Sequence, residues 1–155
     1  MSVAIVLGSK SDLPVARAAV DVLKELGIAY TLHVASAHRS PGLLRELVER
    51  SHAEVFIGIA GLSAALPGAI ASHTSRPVIG VPVSGKVNLD AILSIVQMPP
   101  GIPVAAVGLD CGANAAVLAA QILALKDPSL AEKLAARRRR MLEKVMADSK
   151  EIENG

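Results

Sequence analysis

A histidine and an arginine stand side by side in the segment Ser36-Ala37-His38-Arg39-Ser40, which follows a short apolar run. An imidazole can accept and donate a proton near neutral pH. A guanidinium can hold a phosphate through two parallel hydrogen bonds. Most isolated loop histidines are simple surface residues, but the adjacent Arg39 and Ser36 at a predicted strand end favour a functional role for His38.

A second polar segment, Gly8-Ser9-Lys10-Ser11-Asp12, separates an apolar run from a predicted helix. The free amides and the dipole at a helix N-terminus favour a phosphate there, and the carboxylate of Asp12 could also hold ribose hydroxyls. The spacing fits neither the Walker loop nor the dinucleotide fingerprint. Because Ser11 or Asp12 could equally serve only as a helix cap, the residue types leave both interpretations open.

The third unusual segment runs from Ala60 to Gly68 and contains no charged residue. Small residues such as Gly61 let backbone amides approach a ligand closely. A dry, uncharged wall that includes Leu66 would also keep a small apolar gas near a reactive carbon. Close packing of a helix on a sheet would require the same composition, so the spacing alone does not decide between the two roles.

No metal site is expected. The histidines outside the first segment, His33, His52 and His73, have no partner at the spacing of metal ligands. Cys111 is the only cysteine, so the sequence also predicts no disulfide, which fits a cytoplasmic protein.

Apolar and helical segments alternate regularly along the chain. The predicted strands cover 3–7, 30–35, 55–60, 77–83 and 103–109, and the predicted helices cover 13–26, 41–52, 67–73, 90–97, 113–125 and about 129–152. This alternation predicts one α/β domain over residues 1–155, with a parallel five-stranded sheet between two layers of helices and a long C-terminal helix. A barrel of eight units would need more residues. Ligands of such sheets bind at the carboxyl ends of the strands, which is where the three segments lie.

The composition limits the partners. Hydrophobic residues make up 52% of the chain, more than the interior of so small a domain can hold, so we expect a homo-oligomer. The arginines of the run 137–140 point in different directions on a helix, and Tyr30 and Phe56 are the only aromatic residues, so we expect no nucleic-acid partner. The uncharged stretch 55–75 is interrupted by Pro67 and several glycines, so we expect no membrane span, and the first residues show no secretory leader.

Several segments together resemble the PurE family, whose bacterial members are N5-carboxyaminoimidazole ribonucleotide mutases. The resemblance extends over nearly the whole chain, to about residue 125. It is carried by Gly8-Ser9-Lys10-Ser11-Asp12, Ser36-Ala37-His38-Arg39-Ser40-Pro41, and the segments 77–83, 94–99 and 114–123.

The resemblance implies a flavodoxin-like three-layer fold that is usually assembled as an octamer. It also implies that Ser9, Asp12 and Arg39 bind the ribonucleotide with Ser36 beside them, and that His38 is the catalytic histidine. The implied reaction moves a carboxylate from the exocyclic nitrogen to C4 of an aminoimidazole ribonucleotide. It needs one general acid and base and no metal or organic cofactor.

One position departs from the family pattern. The family loop reads A-G-G-A-A-H-L-P-G, and its histidine lines the active site where this chain has Ala65. Two alternatives therefore accompany the mutase: a carboxylase that uses carbon dioxide directly, and a paralogue that binds a nucleotide without this activity. The pair His38-Arg39 favours the mutase, because direct carboxylases of this fold usually carry lysine after the histidine.

Overall fold

The computed structural model describes residues 1–154, so Gly155, the last residue of the predicted domain, lies outside it. The strands are β1 (Ser2–Leu7), β2 (Ala29–Val34), β3 (Val55–Ala60), β4 (Val78–Pro82) and β5 (Ala105–Ala106). The helices are α1 (Leu13–Leu26), α2 (Pro41–Arg50), α3 (Leu66–Ala71), α4 (Asn88–Val96), α5 (Gly112–Ala124) and α6 (Pro128–Asn154), and a 3-10 turn covers Lys10–Asp12.

The five strands form one parallel sheet in the order β2-β1-β3-β4-β5. Alternate side chains of β1 and β3 face opposite sides of this sheet. Ile5 and Ile57 pack with α1 and α5 in one core, whereas Val6 and Phe56 pack with α2, α3 and α4 in the other. The predicted three-layer α/β fold with a long C-terminal helix is therefore confirmed, and its strand order is that of flavodoxin-like proteins.

The fifth strand is shorter than predicted. The sequence predicts a strand over 103–109, but only Ala105–Ala106 pairs as a strand with β4. Pro103 has no N–H to donate to a neighbour, and Asp110 has a positive φ of 57°, which turns the chain away from an extended path. The prediction of a longer β5 was wrong for these backbone reasons.

Arg76 connects the end of α2 to the start of β3 on the side of the molecule opposite the strand ends discussed below. Its guanidinium donates hydrogen bonds to the backbone carbonyls of Val48 (3.2 Å), Ser51 (2.7 Å) and Ala53 (2.6 Å). The guanidinium carbon also lies 4.9 Å from the centre of the Phe56 ring. One half-buried side chain thus donates to carbonyls both at the end of α2 and in the segment that leads to β3.

Replacing Arg76 by methionine is expected to lower the free energy of unfolding by about 3 kcal/mol, because three partly buried carbonyls lose charged donors. Urea denaturation measures this change. Arg138→Met is the matched control, since Arg138 is exposed on α6, and it should change stability by less than about 0.5 kcal/mol. Equal losses for the two variants would contradict the assigned role of Arg76.

The arginine run on α6 is divided between two environments. Arg137 and Arg140 both donate to the carboxylate of Glu25 and so fasten α6 to α1. Arg138 and Arg139 stay exposed.

Among the described residues, no helix combines the length and the apolar character that crossing a membrane requires.

Candidate active site

A cavity of about 390 Å³ opens where β1, β2 and β3 end. Because β1 lies between β2 and β3 in the sheet, the loops that leave these three strands converge at one edge. The residues that line the cavity are Gly8, Ser9, Ser11, Asp12, Ser36, Ala37, His38, Arg39, Ala60, Gly61, Leu62, Ser63 and Leu66. The structure thus brings together every predicted site residue except Ala65.

The first loop is held by its own side chains. The Ser9 hydroxyl accepts a hydrogen bond from the Ser11 amide (3.3 Å), and Oδ2 of Asp12 accepts one from the Ser9 amide (2.9 Å). This reciprocal pair is a capping box on the 3-10 turn. The sequence had suggested Ser11 or Asp12 as the cap of α1. Instead, Ser9 caps the turn that precedes it, and Asp12 makes no side-chain cap bond to α1.

Asp12 is the only charged residue that the structure buries among those it describes, with 7% of its surface exposed. Burial raises the pKa of its carboxyl above the ordinary value of 3.8, while the Ser9 amide, the Ser11 hydroxyl and the positive charge of Arg39 act in the opposite direction. The charged form at neutral pH is therefore held at a cost to folding, which is typical of a group retained for binding.

We expect Asp12→Asn to be at least as stable as the wild type at pH 7, because the amide oxygen can still accept from Ser9 without the desolvation of a charge. Since folding raises the pKa of Asp12, the wild type gains stability relative to the variant as the pH falls toward and through the ordinary carboxyl range. Urea denaturation at pH 7 and at pH 4 tests this sign. A variant advantage that grew on acidification would contradict it.

Arg39 joins the first and second loops. Its Nη2 donates to the carbonyl of Gly8 (2.9 Å), and its Nε donates to the hydroxyl of Ser36 (3.3 Å). The same hydroxyl accepts the backbone N–H of Arg39 at 3.2 Å, and Ser40 Oγ accepts the Ser36 amide at 2.9 Å. A guanidinium carries five N–H groups, so several remain free to donate to an anionic ligand in the cavity.

His38 lies in the turn that follows β2 and is exposed at the edge of the cavity. Its imidazole makes no hydrogen bond to any part of the chain that the structure describes. Both ring nitrogens are therefore free for a ligand, and neither tautomer is imposed by a protein partner. A proton carrier needs at least one ring nitrogen that can reach the reacting group, and this imidazole offers two.

The third loop supplies the uncharged wall. Leu66 is 2% exposed and closes the inner side of the cavity, whereas Leu62 and Ser63 are exposed at its rim. Reasoning from the sequence named Gly61 and Leu66 but missed Leu62, Ser63, Ala37 and Ala60 as lining residues. Their position at or just after the ends of β2 and β3 was the available signal.

Two glycines beneath α3 allow this wall to lie close to the sheet. Gly58 and Gly80 are neighbours on β3 and β4, and Pro67 lies over both of them. A Cβ atom on Gly80 would lie 3.1 Å from Pro67, and one on Gly58 would lie 3.2 Å from Pro67. The absence of these two side chains lets α3 approach the sheet and brings Leu66 to the cavity.

One predicted site residue lies apart from the others. Ala65 is half-buried at the start of α3 and lies outside the cavity lining. Its backbone is helical (φ −71°, ψ −15°), and its carbonyl accepts the first helical hydrogen bond from Ala69 at 2.9 Å. A methyl group on this backbone is too short to reach the cavity, although the longer side chain of the family histidine starts from the same place.

Within residues 1–154, no three histidine, cysteine, aspartate or glutamate side chains are grouped so that they could hold a metal ion. The titratable groups in the cavity are Asp12, His38 and Arg39. The site therefore contains the guanidinium of Arg39, which can bind an anion, together with the buried carboxylate of Asp12 and the imidazole of His38.

A family model described as AIR carboxylase matches residues 2–144. The chain belongs to the AIR carboxylase family. The resemblance inferred from the sequence segments is thus confirmed, and it covers the whole site.

Known relatives of this AIR carboxylase family chain match nearly its full length. It is 56% identical over 151 residues to the N5-carboxyaminoimidazole ribonucleotide mutase of Methanocaldococcus jannaschii, with 97% of this chain and 96% of that protein covered. It is 44% identical over 161 residues to the protein of the same name from Vibrio parahaemolyticus, with 99% and 100% covered. A crystal structure of Treponema denticola PurE superimposes with a TM-score of 0.85 at 31% identity, with 97% of each chain covered.

Proposed function

We propose that the chain is an N5-carboxyaminoimidazole ribonucleotide mutase of purine biosynthesis. The observation that carries the proposal is the free imidazole of His38 at the edge of a cavity that also holds Arg39 and the buried Asp12. The full-length relatives named for this activity support the same assignment.

Different residues of the cavity can bind different parts of the substrate. The free N–H groups of Arg39 and the hydroxyl hydrogen of Ser9 bind the phosphate. Asp12 accepts hydrogen bonds from the ribose hydroxyls. The aminoimidazole then lies toward His38 and the uncharged wall of Gly61 and Leu66, where water has few polar partners.

The reaction then needs one proton carrier. The C–N bond of the carbamate breaks, the exocyclic nitrogen takes a proton from His38, and carbon dioxide is released inside the cavity. C4 of the imidazole attacks the carbon of carbon dioxide, and the C4 proton returns to His38 as the ring regains aromaticity. The protons balance over the cycle, and the enclosure of both reactants makes the second bond formation effectively unimolecular.

The test is turnover of purified protein. Incubation with N5-carboxyaminoimidazole ribonucleotide is expected to yield 4-carboxy-5-aminoimidazole ribonucleotide without added metal or cofactor. Bound substrate without turnover above the spontaneous rate would reject the proposal. Product formation from the unsubstituted aminoimidazole ribonucleotide, in proportion to added bicarbonate, would instead identify the direct carboxylase.

A second candidate, a nucleotide-binding paralogue without this activity, rests on Ala65. The family places a histidine there, so this cavity has one imidazole fewer. If the chain is such a paralogue, it should bind the nucleotide tightly without turnover, and the Ala65→His variant should gain turnover. Turnover by the wild-type chain would exclude it.

We also propose that the enzyme is a cytoplasmic homo-octamer. An unusual amount of apolar surface lies outside the two cores, and the number eight comes from the resemblance to the family. The exposed apolar residues are Leu32 and Val34 on β2, Leu89, Leu93 and Val96 on α4, and Met141, Leu142, Val145 and Met146 on α6. Sedimentation equilibrium tests the subunit number, and a monomer at micromolar concentration would contradict it.

A further inference from the structure

Leu62 is an exposed leucine at the edge of the candidate active site. Its surface is 74% exposed, yet it lines the same cavity as His38 and Arg39. Most of the larger lining side chains are polar or charged, and the other leucine of the lining, Leu66, is buried. Leu62 therefore presents a large apolar surface at the opening of a polar cavity, which packing within this chain does not explain.

The loop that carries Leu62 is fixed on both sides of it. Before it, the carbonyl of Ala60 accepts a hydrogen bond from the Val83 amide at 3.0 Å. After it, Ala64 is completely buried in the core shared with α2, α3 and α4. The Leu62 side chain is thus presented at a defined place on the edge of the cavity.

The proposed reaction requires a group of this kind. Between breakage of the C–N bond and formation of the C–C bond, carbon dioxide is not bonded to anything. It has no net charge and no dipole moment, so hydrogen-bond donors such as Ser9 and Arg39 hold it poorly. Enclosure by apolar side chains can retain it and exclude the water that would hydrate it.

We propose that Leu62 closes the opening of the cavity over the bound nucleotide and retains carbon dioxide between the two steps. This inference rests on the proposed mutase function. In this proposal Leu62 keeps the released carbon dioxide beside C4 until the new bond forms. Other residues bind the phosphate and move the proton.

The test is the fate of the carboxyl group in Leu62→Ala. For each substrate consumed, the wild type should form an equal amount of the C4 carboxylate. The variant should lose carbon dioxide before the second step, so unsubstituted aminoimidazole ribonucleotide accumulates and this unproductive fraction rises severalfold. In the presence of ¹³C-bicarbonate, the variant should also incorporate more label into its product. Leu62→Met should restore the wild-type ratio, because it restores apolar volume.

Leu125→Ala is the matched control, since Leu125 is 86% exposed at the end of α5 and lies outside the cavity lining. It should keep the wild-type ratio of product to substrate. If Leu62→Ala turned over with an unchanged ratio, the inference would be wrong although the mutase function stood. A changed subunit number with an unchanged ratio would likewise overturn it and assign Leu62 to a subunit contact. If the wild-type chain showed no turnover, the proposed mutase function would be wrong, and this inference would be wrong with it.

Discussion

Replacing His38 by asparagine is expected to lower kcat by about a thousandfold, because positioned general acid–base groups typically contribute that order of acceleration. Asparagine keeps a polar side chain of similar reach but cannot carry a proton through the cycle. The hydrogen bonds of Ser9, Asp12 and Arg39 do not involve His38, so nucleotide binding should change by less than a factor of about three. Product formation and calorimetric binding measure the two quantities separately.

His52→Asn is the matched control for this variant. His52 is exposed just beyond the end of α2 and is absent from the cavity lining, so its replacement should leave kcat unchanged. If His38→Asn retained more than about a tenth of the wild-type kcat, the imidazole would not be the proton carrier. Loss of nucleotide binding together with kcat would show that His38 acts in binding.

Gly112→Ala is expected to lower the free energy of unfolding by about 3 kcal/mol or more. Gly112 begins α5, and a Cβ atom there would lie 2.1 Å from the backbone carbonyl oxygen of Val15 in the first turn of α1. The obstacle is backbone, so α1 or α5 must move as a unit. Because α1 follows the Ser9 loop directly, nucleotide affinity should fall as well. Urea denaturation and calorimetry measure these two effects.

Gly42→Ala provides a control at a closely similar position. Gly42 also lies in the first turn of a helix, α2, but a Cβ atom on it would meet nothing within 4 Å. Removing a glycine from this helix should stabilise the fold by up to about 1 kcal/mol. A similar loss of stability in both variants would mean that glycine is needed for its backbone and that the contact with α1 is unimportant.

The position of the site could be predicted because its residues follow strands that the sequence marks clearly. The apolar runs of β1 and β3 and the polar residues after β1 and β2 are visible without coordinates, and parallel strands place their carboxyl ends at one edge. The Ser9 cap was also accessible, since Ser9-Lys10-Ser11-Asp12 has the spacing of a capping box. Ser11 and Asp12 lie nearer the start of α1 and therefore compete with Ser9 as candidate caps.

Other features depend on contacts that no local pattern records. The three carbonyl partners of Arg76 lie 23 to 28 residues away along the chain, so nothing near Arg76 predicts its role. The close approach of Gly112 to Val15 likewise follows from how α1 and α5 pack on the sheet. The early end of β5 reflects the left-handed backbone at Asp110, which an apolar pattern over 103–109 conceals.

Arg39 is held in place by hydrogen bonds to Gly8 and Ser36 of its own chain. Long side chains lose rotamer entropy when a ligand immobilises them, and that loss weakens association. Here folding itself has already restricted the guanidinium, so the site is preorganised for an anion. Replacing Arg39 by lysine, which keeps the positive charge but loses the planar fork of donors, should therefore still weaken the nucleotide complex.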